Sequence, residues 1–350
     1  MKKIEVYIMS KILVTGGTGY IGSHTVVELH NAGYTPIIVD NLSNSNVQII
    51  DQIEKIIGVK PEFHQFDLCD QEKTKAFIEA NPDITGVIHF AASKAVGESV
   101  QNPLKYYHNN FFSLINLLNA YRERPVNFVF SSSCTVYGEP DTLPVTESAP
   151  VKKATSPYGN TKQISEEILE ETANAYDNFN IVALRYFNPV GAHESALIGE
   201  LPNGVPQNLL PFITQTAIGK REKLTVFGND YDTPDGSCIR DYIHVVDLAK
   251  AHVSAIQLLE KGNPNGKYDV FNIGTGNGYS VLEAIKAFEK ASGKPLNYEF
   301  GPKREGDTVK VYGDVHKSAT QLGWKAELGI DEMMSSAWAW EQYINENPFK

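Results

Sequence analysis

Along the first half of the chain, short continuous apolar runs alternate with stretches whose apolar residues recur at helical spacing. Lys11–Thr15 is a short β-rich run, and Ile21–Ala32 carries spaced apolar residues before a stop at Gly33. Gly16–Gly22 lies between them, so the order reads strand, turn, helix. The alternation continues through a strand at Pro36–Val39, a helix near Val47–Ile57, a strand ending at Asp67, a helix near Lys73–Ala80 and a strand at Gly86–Phe90. Val126–Phe130 and Ile181–Leu184 are nearly unbroken apolar runs, the pattern of strands that helices cover on both faces. A doubly wound α/β fold with a parallel sheet follows.

After Tyr186 the texture changes. Glycine and proline punctuate Asn188–Pro211, and irregular stretches separate helices expected at Leu209–Gly219, Val246–Leu259, Ser280–Ala291 and Ile330–Asn345. Ser280 and Glu283 have the spacing of a capping box. The division expected is a nucleotide-binding domain over residues 10–188, with return segments near 241–274, and a smaller mixed α/β substrate-binding domain over 189–350. Neither a repeat nor a flexible linker separates the halves, which places a ligand in the cleft between them.

Composition narrows the function classes. The 350 residues, 42% of them hydrophobic, are enough for a large core. Cys69, Cys134 and Cys238 lie far apart without metal-ligand spacing, as expected of reduced thiols in a cytoplasmic protein that binds no metal. A net charge of −11 without a run of lysine and arginine argues against nucleic acid as a partner. No apolar run approaches the roughly 18 residues of a membrane span. The opening Met1–Ser10 lacks the apolar region of a signal peptide, and residues 1–9 read equally as an edge strand, a loose extension or an upstream start before Met9.

The glycine-dense stretch carries the first candidate chemistry. Gly16, Gly19 and Gly22, with Tyr20 and Ile21 opening the helix, form a turn that lets a pyrophosphate approach helix N-terminal amides. Asp40 ends the second strand, where its carboxylate can accept bonds from an adenosine ribose and repel a 2′-phosphate, favouring NAD over NADP. As a turn residue beside Asn41 it would have a purely structural part.

Tyr158 and Lys162 stand one turn apart on the helix opened by Pro157, so both can act on one ligand. An ammonium beside a phenol stabilises the phenolate, which gives a base nearer neutral pH. Ser131-Ser132-Ser133 follows an apolar strand at its carboxyl end, where ligands of such folds bind. Ser133 can then relay a proton from a sugar hydroxyl to Tyr158. A polar strand end and a solvated surface pair are the plainer alternatives for these residues.

The glycine turn, the serine strand end and the Tyr158/Lys162 pair together resemble the extended short-chain dehydrogenase/reductase family, whose sheet is of the Rossmann type. The resemblance runs from about residue 11 to the C-terminus. It narrows to the nucleotide-sugar 4-epimerases through Tyr186–His193, Phe227–Tyr231, Arg240–His244 and Arg304–Asp307. It implies that Asn41, Asp67, Leu68, Phe90, Ala91, Lys94, Asn109 and Phe187 complete an NAD pocket, with Asp67 near the adenine. It also implies that Asn188, Asn208, Leu209, Phe227, Arg240, Arg304 and Asp307 hold a UDP-hexose. Guanidinium groups suit a diphosphate, although Arg240 and Arg304 could equally pair with their neighbours Asp241 and Glu305.

The reaction so implied interconverts UDP-glucose and UDP-galactose. Tyr158, helped by Ser133, takes the proton from the hydroxyl at sugar carbon 4 while hydride passes to NAD; the 4-keto sugar turns over and takes the hydride back on its other face. A 4,6-dehydratase would share the first step, but where such enzymes carry Thr-Asp-Glu this chain has Ser133-Cys134-Thr135. The missing glutamate also speaks against a decarboxylase. A non-catalytic NAD-binding sensor would have no need of the intact Tyr158 and Lys162. Val311 stands at a position that is a large tyrosine in some such epimerases and a small cysteine in those that admit N-acetylated sugars, with Tyr312 able to fill the gap if the register slips. A homodimer is implied by the resemblance, through helices around Pro103–Tyr121 and Ser156–Tyr176.

Overall fold

The computed structural model describes residues 10–304 and 308–349. β1 (Lys11–Thr15) leads through the glycine turn into α1 (Tyr20–Asn31), followed by β2 (Thr35–Asp40), α2 (Gln48–Ile57), β3 (Glu62–Gln65), α3 (Gln71–Ala80) and β4 (Ile84–His89). α4 (Val96–Gln101), α5 (Pro103–Ala120), β5 (Val126–Ser131), α6 (Pro157–Ala175) and β6 (Phe179–Tyr186) complete the first stretch. The expected strands and helices are all there, with ends moved by a residue or two. β3 stops before Asp67 because that side chain accepts the Cys69 amide at 2.8 Å and its carbonyl accepts the Asp70 amide at 2.9 Å, turning the chain toward α3.

Beyond β6 come β7 (Asn188–Val190), α7 (Leu209–Ala217), β8 (Leu224–Phe227), β9 (Ile239–Arg240), β10 (Tyr242–His244), α8 (Val245–Lys261) and β11 (Tyr268–Ile273). They are followed by β12 (Tyr279–Ser280), α9 (Val281–Ser292), β13 (Tyr298–Gly301), β14 (Lys310–Val311) and α10 (Ile330–Glu346). The capping box at α9 is formed: Ser280 Oγ accepts the Glu283 amide at 3.0 Å, and Glu283 accepts the Ser280 amide at 2.8 Å.

Seven strands form one sheet in the order β11-β6-β5-β4-β1-β2-β3, parallel throughout. Alternate residues of each strand enter different cores. Ile12, Val14, Ile38, Val129 and Val182 pack with α1, α2 and α8. Leu13, Ile37, Val39, Phe128, Phe130 and Ile181 pack with α3, α5 and α6. Both faces are dry, so most positions are apolar and the strands read as nearly continuous apolar runs. A separate core joins Leu210 and Ile213 of α7, Val226 of β8, Ile285 and Phe288 of α9, and Met333, Met334 and Trp338 of α10.

Strand order reverses between β1 and β4, so the carboxyl ends of those strands open a crevice at the turn from β1 into α1. The chain crosses out of the sheet after β6 and returns to it through β10, α8 and β11. β10 pairs with β7 and carries Tyr242 into the second core, joining the two units at the mouth of the crevice.

Candidate active site

The turn after β1 has no room for side chains. A Cβ on Gly16, whose φ is 71°, would lie 2.9 Å from the Ala91 amide nitrogen, and one on Gly22 would lie 2.2 Å from the Gly16 carbonyl. The backbone therefore folds flat against the end of β4, and the start of α1 closes onto the turn. Gly19, in extended conformation, caps α1 without a side-chain bond, so the first helix amides are offered to an anion. A cradle of bare glycines facing uncapped amides fits a dinucleotide pyrophosphate.

Asp40, 7% exposed, sits at the carboxyl end of β2. Oδ2 accepts the Thr18 amide at 3.2 Å, and Oδ1 accepts the Leu42 amide at 2.8 Å and the Ser45 hydroxyl at 3.2 Å. These bonds give Asp40 its structural part in the turn, and the carboxylate keeps further acceptor capacity. Asn41 Nδ2 donates to Asp67 Oδ2 at 3.2 Å, which joins the exits of β2 and β3 above the buried Leu68. Phe90 and Ala91 leave β4 beside Gly16, and Phe90 packs on His252 at 4.6 Å between ring centres. Asn109 Nδ2 donates to Asn110 at 3.0 Å, and the Asn109 carbonyl accepts the Cys69 thiol.

Ser133, Tyr158 and Lys162 converge where β5 ends against α6. Ser156 caps the helix by accepting the Gly159 amide at 3.1 Å, and Pro157 opens it. All three side chains are buried. Lys162 Nζ donates to the Ser131 carbonyl at 2.6 Å and stands 4.7 Å from the centre of the Phe130 ring and 5.9 Å from that of Tyr158.

The expected balance of charge is reversed in this pocket. Burial pushes the Tyr158 phenol far above its ordinary value, with Tyr186 adding to the rise and the Ser133 hydrogen bond opposing it. Burial also draws the Lys162 ammonium down to about 7, opposed by the charge of Glu166. The cost of dehydrating either charged group exceeds what the neighbouring charge returns. Lys162 alone does not bring this phenol to neutral pH.

The second unit contributes its residues in pairs. The Arg304 guanidinium lies 3.8 Å over the Phe227 ring at the end of β8. β14 pairs with β9 so that Val311 stands opposite Arg240. Tyr312 packs beside Gly278. Asn208 caps α7 just before Leu209 and donates to Glu200 Oε1 at 2.6 Å; Lys94 approaches the same oxygen at 3.4 Å while lying over the Tyr20 ring. Phe187 is wedged between Gly274 and Gly313, where added Cβ atoms would lie 3.0 and 2.4 Å from its ring. Next to it, Asn188 opens β7 and donates its amide to the Asp241 carbonyl at 3.0 Å. Burial raises the Cys134 thiol, next to Ser133 in the chain, and the Arg240 charge opposes that rise. Asp307 and Glu305 lie outside the described residues.

Two buried carboxylates have parts that the sequence did not reveal. Asp241 accepts from the Thr275 amide and hydroxyl at 2.9 and 2.8 Å, and from the Gly276 and Gly313 amides at 3.1 and 3.4 Å. It anchors the walls around Phe187. Glu166 holds Arg185 bidentately, with Nη2 to Oε2 at 2.6 Å. The available signal was Arg185 itself, a charge inside a strand dry on both faces, which requires a buried partner.

From residue 13 to 337 the chain matches the model of the family described as GDP-mannose 4,6 dehydratase. It is 51% identical to the UDP-glucose 4-epimerase of Bacillus subtilis over 340 residues, 97% of this chain and 98% of that one. The fold superposes with a TM-score of 0.92 on UDP-glucose 4-epimerase from Stenotrophomonas maltophila, solved with NAD and formylated UDP-arabinopyranose. That protein is 44% identical, with 97% of this chain and 99% of that one covered. The enzyme from Bifidobacterium longum, solved with NAD+ and UDP, gives 0.90 at 47% identity, covering 97% of this chain and all of that one, 100%.

Proposed function

Because the chain belongs to the UDP-glucose 4-epimerases of the extended short-chain dehydrogenase/reductase family, we propose that it interconverts UDP-glucose and UDP-galactose at the pocket formed by Ser133, Tyr158 and Lys162. The observation that carries the assignment of residues is the convergence of a buried phenol, a buried ammonium and a serine hydroxyl at the carboxyl end of β5. NAD, held along Gly16–Gly22 and Asp40, supplies when bound the acceptor for the hydrogen at sugar carbon 4, its return, and a positively charged ring.

Tyr158 takes the proton from the hydroxyl at carbon 4, and Ser133 hydrogen-bonds that hydroxyl and the phenol. Lys162, anchored on the Ser131 carbonyl, offers its positive charge to the Tyr158 phenolate, the base that takes this proton and becomes a phenol. Arg304, Arg240, Phe227 and Asn208 hold the UDP portion, so that the 4-keto hexose turns over on its diphosphate without leaving. Elimination of water needs a paired acid and base. Ser133-Cys134-Thr135 supplies no carboxyl group at the end of β5, so the dehydratase reading is not favoured even though the matching family is described by that name.

Val311 is smaller than the tyrosine of some such epimerases at this place, and UDP-N-acetylhexosamines are accepted as additional substrates. Leu104, Phe112 and Ile115 of α5 are 78%, 50% and 39% exposed, an outward apolar stripe that suits pairing of α5 and α6 with a second copy of the chain. If so, Phe112→Glu should give a monomer by light scattering. Three unpaired thiols fit a reducing, cytoplasmic compartment. Incubation of the purified chain with UDP-galactose, without added NAD, tests reaction and cofactor retention together: UDP-glucose is the expected product, and an accumulating 4-keto sugar would overturn the reading in favour of a dehydratase.

A further inference from the structure

Residues 191–200 follow β7 and are held from both units. The Gly191 carbonyl accepts the hydroxyl of Tyr20, at the start of α1, at 2.6 Å. Ala192 and Gly199 pair across an antiparallel bridge, and a Cβ on Gly199 would lie 2.4 Å from the indole ring of Trp340 in α10. The Glu200 carbonyl accepts the Trp340 indole N–H at 2.9 Å. Glu200 is therefore presented from an anchored backbone, with its side chain 13% exposed. One oxygen of its carboxylate, Oε1, takes the Asn208 side-chain amide at 2.6 Å and the Lys94 ammonium at 3.4 Å. Lys94 comes from the exit of β4 and Asn208 from the start of α7, so a single carboxylate oxygen joins a residue expected at NAD to one expected at the UDP-hexose.

Asn208 occupies the N-cap of α7, a position where asparagine ordinarily accepts the amide of the second or third helical residue through its side-chain oxygen. Here the side chain makes no such bond. The third helical residue is Pro211, which has no N–H, so only the Leu210 amide is left for a cap. Glu200 offers the stronger partner. A carboxylate can only accept, so the amide must turn its NH2 toward it, and a hydrogen bond to a charged acceptor exceeds one between neutral groups. With one N–H committed to Glu200, the plane of the amide is set, and Asn208 has a second N–H and an oxygen to offer a ligand.

We propose that Glu200 is a positioning residue of the sugar-nucleotide site: it holds the Asn208 amide off its own helix and in the orientation that meets the UDP portion. The inference rests on the part given to Asn208 above. Lys94 is the weaker of the two ties, because its side chain is 51% exposed and its contact is the longer one. Without Glu200 the Asn208 side chain turns back to cap α7, and UDP binds only by breaking that cap.

The test titrates UDP into the NAD-loaded full chain by calorimetry and measures turnover of UDP-galactose, comparing the native chain with Glu200→Ala, Glu200→Gln, Asn208→Ala and the double variant Glu200→Ala/Asn208→Ala. Glu200→Ala weakens UDP binding by about five- to tenfold and raises KM in step, while kcat stays within about twofold. Glu200→Gln keeps an acceptor for the Asn208 amide and holds UDP affinity within about threefold of native. Asn208→Ala weakens binding at least as much as Glu200→Ala, and the double variant is no weaker than Asn208→Ala, because the carboxylate acts through a side chain already gone. Losses that multiply in the double variant overturn the proposal. So does a fall in kcat and Tm of Glu200→Ala with UDP affinity intact, which is what a merely structural bridge gives. If Glu200→Ala folds poorly, a structure of the native chain with NAD and UDP decides: Asn208 bonded to both Glu200 and UDP is expected, and Asn208 capping α7 overturns the proposal. UDP binding that ignores Asn208→Ala refutes the part given to Asn208 and this inference with it. Binding that responds to Asn208→Ala and not to Glu200→Ala refutes Glu200 alone, whereas a native chain that binds no UDP refutes the epimerase reading itself.

Discussion

The side-chain nitrogen of Lys162 lies 2.6 Å from the carbonyl oxygen of Ser131, so the catalytic helix is tied to the strand end that presents Ser133. The tie fixes the ammonium before any ligand arrives. In the proposed reaction its charge faces the Tyr158 phenolate, the base that takes the proton from the sugar. Tyr158→Phe removes that oxygen with little change in volume. Turnover of UDP-galactose should fall by about two to four orders of magnitude, while UDP affinity, measured by titration calorimetry, stays within a few-fold. Turnover near the native rate would remove Tyr158 from the mechanism.

Gly22 tests the cradle. An added methyl would sit 2.2 Å from the Gly16 carbonyl and 2.9 Å from the Gly17 Cα, both backbone atoms that cannot swing aside. Gly22→Ala should cost about 1–3 kcal/mol of stability as α1 is pushed off the turn. The NAD content of the purified protein, read by absorbance after denaturation, should drop in parallel. Full cofactor content with an unchanged Tm would show that the turn has slack the structure does not suggest.

The elements through β6 were legible because strands dry on both faces leave a long apolar signature, as Val126–Ser131 does, and because the turn from β1 into α1 has a spacing set by phosphate geometry. In the second unit the helices were legible and the short strands were not. β9 is Ile239–Arg240 and β14 is Lys310–Val311, strands too short to show any alternation. The stacking of Arg304 on Phe227 joins residues far apart in the chain, and only resemblance pointed to either. The pair of Tyr158 and Lys162 was visible from its spacing, but its electrostatics were not: burial, a property of the folded pocket, reverses the direction in which the phenol is shifted.

Val311 tests the sugar range. It is paired opposite Arg240 and partly buried, and a phenol ring in its place is much larger. Val311→Tyr should reduce kcat/KM for UDP-N-acetylgalactosamine by tenfold or more, roughly 1.4 kcal/mol at the transition state, and change that for UDP-galactose by less than about threefold. An equal loss for both sugars would mean that position 311 senses the nucleotide and not the substituent at carbon 2.

Buried imidazoles set the response to acid. Burial drives His24 and His89 down to about 3 and His244 and His252 down to about 4. The Nε2 atoms of His24 and His252 have no hydrogen-bond partner that would share a proton's charge. All four are neutral in the folded chain at pH 7, whereas the unfolded chain takes up their protons near pH 6.5. Below that pH the unfolded state binds more protons, so stability rises with pH between the folded and unfolded values and is fully present above about 6.5. Each histidine contributes up to about 1.4 kcal/mol per pH unit across that window. The urea midpoint, with NAD and UDP held saturating, should therefore be level between about pH 7.5 and 7 and fall steeply from about 6.5 to 5, before most carboxylates titrate. A midpoint constant down to about pH 5 would show that these rings are already charged in the folded protein and that the pockets around them admit water.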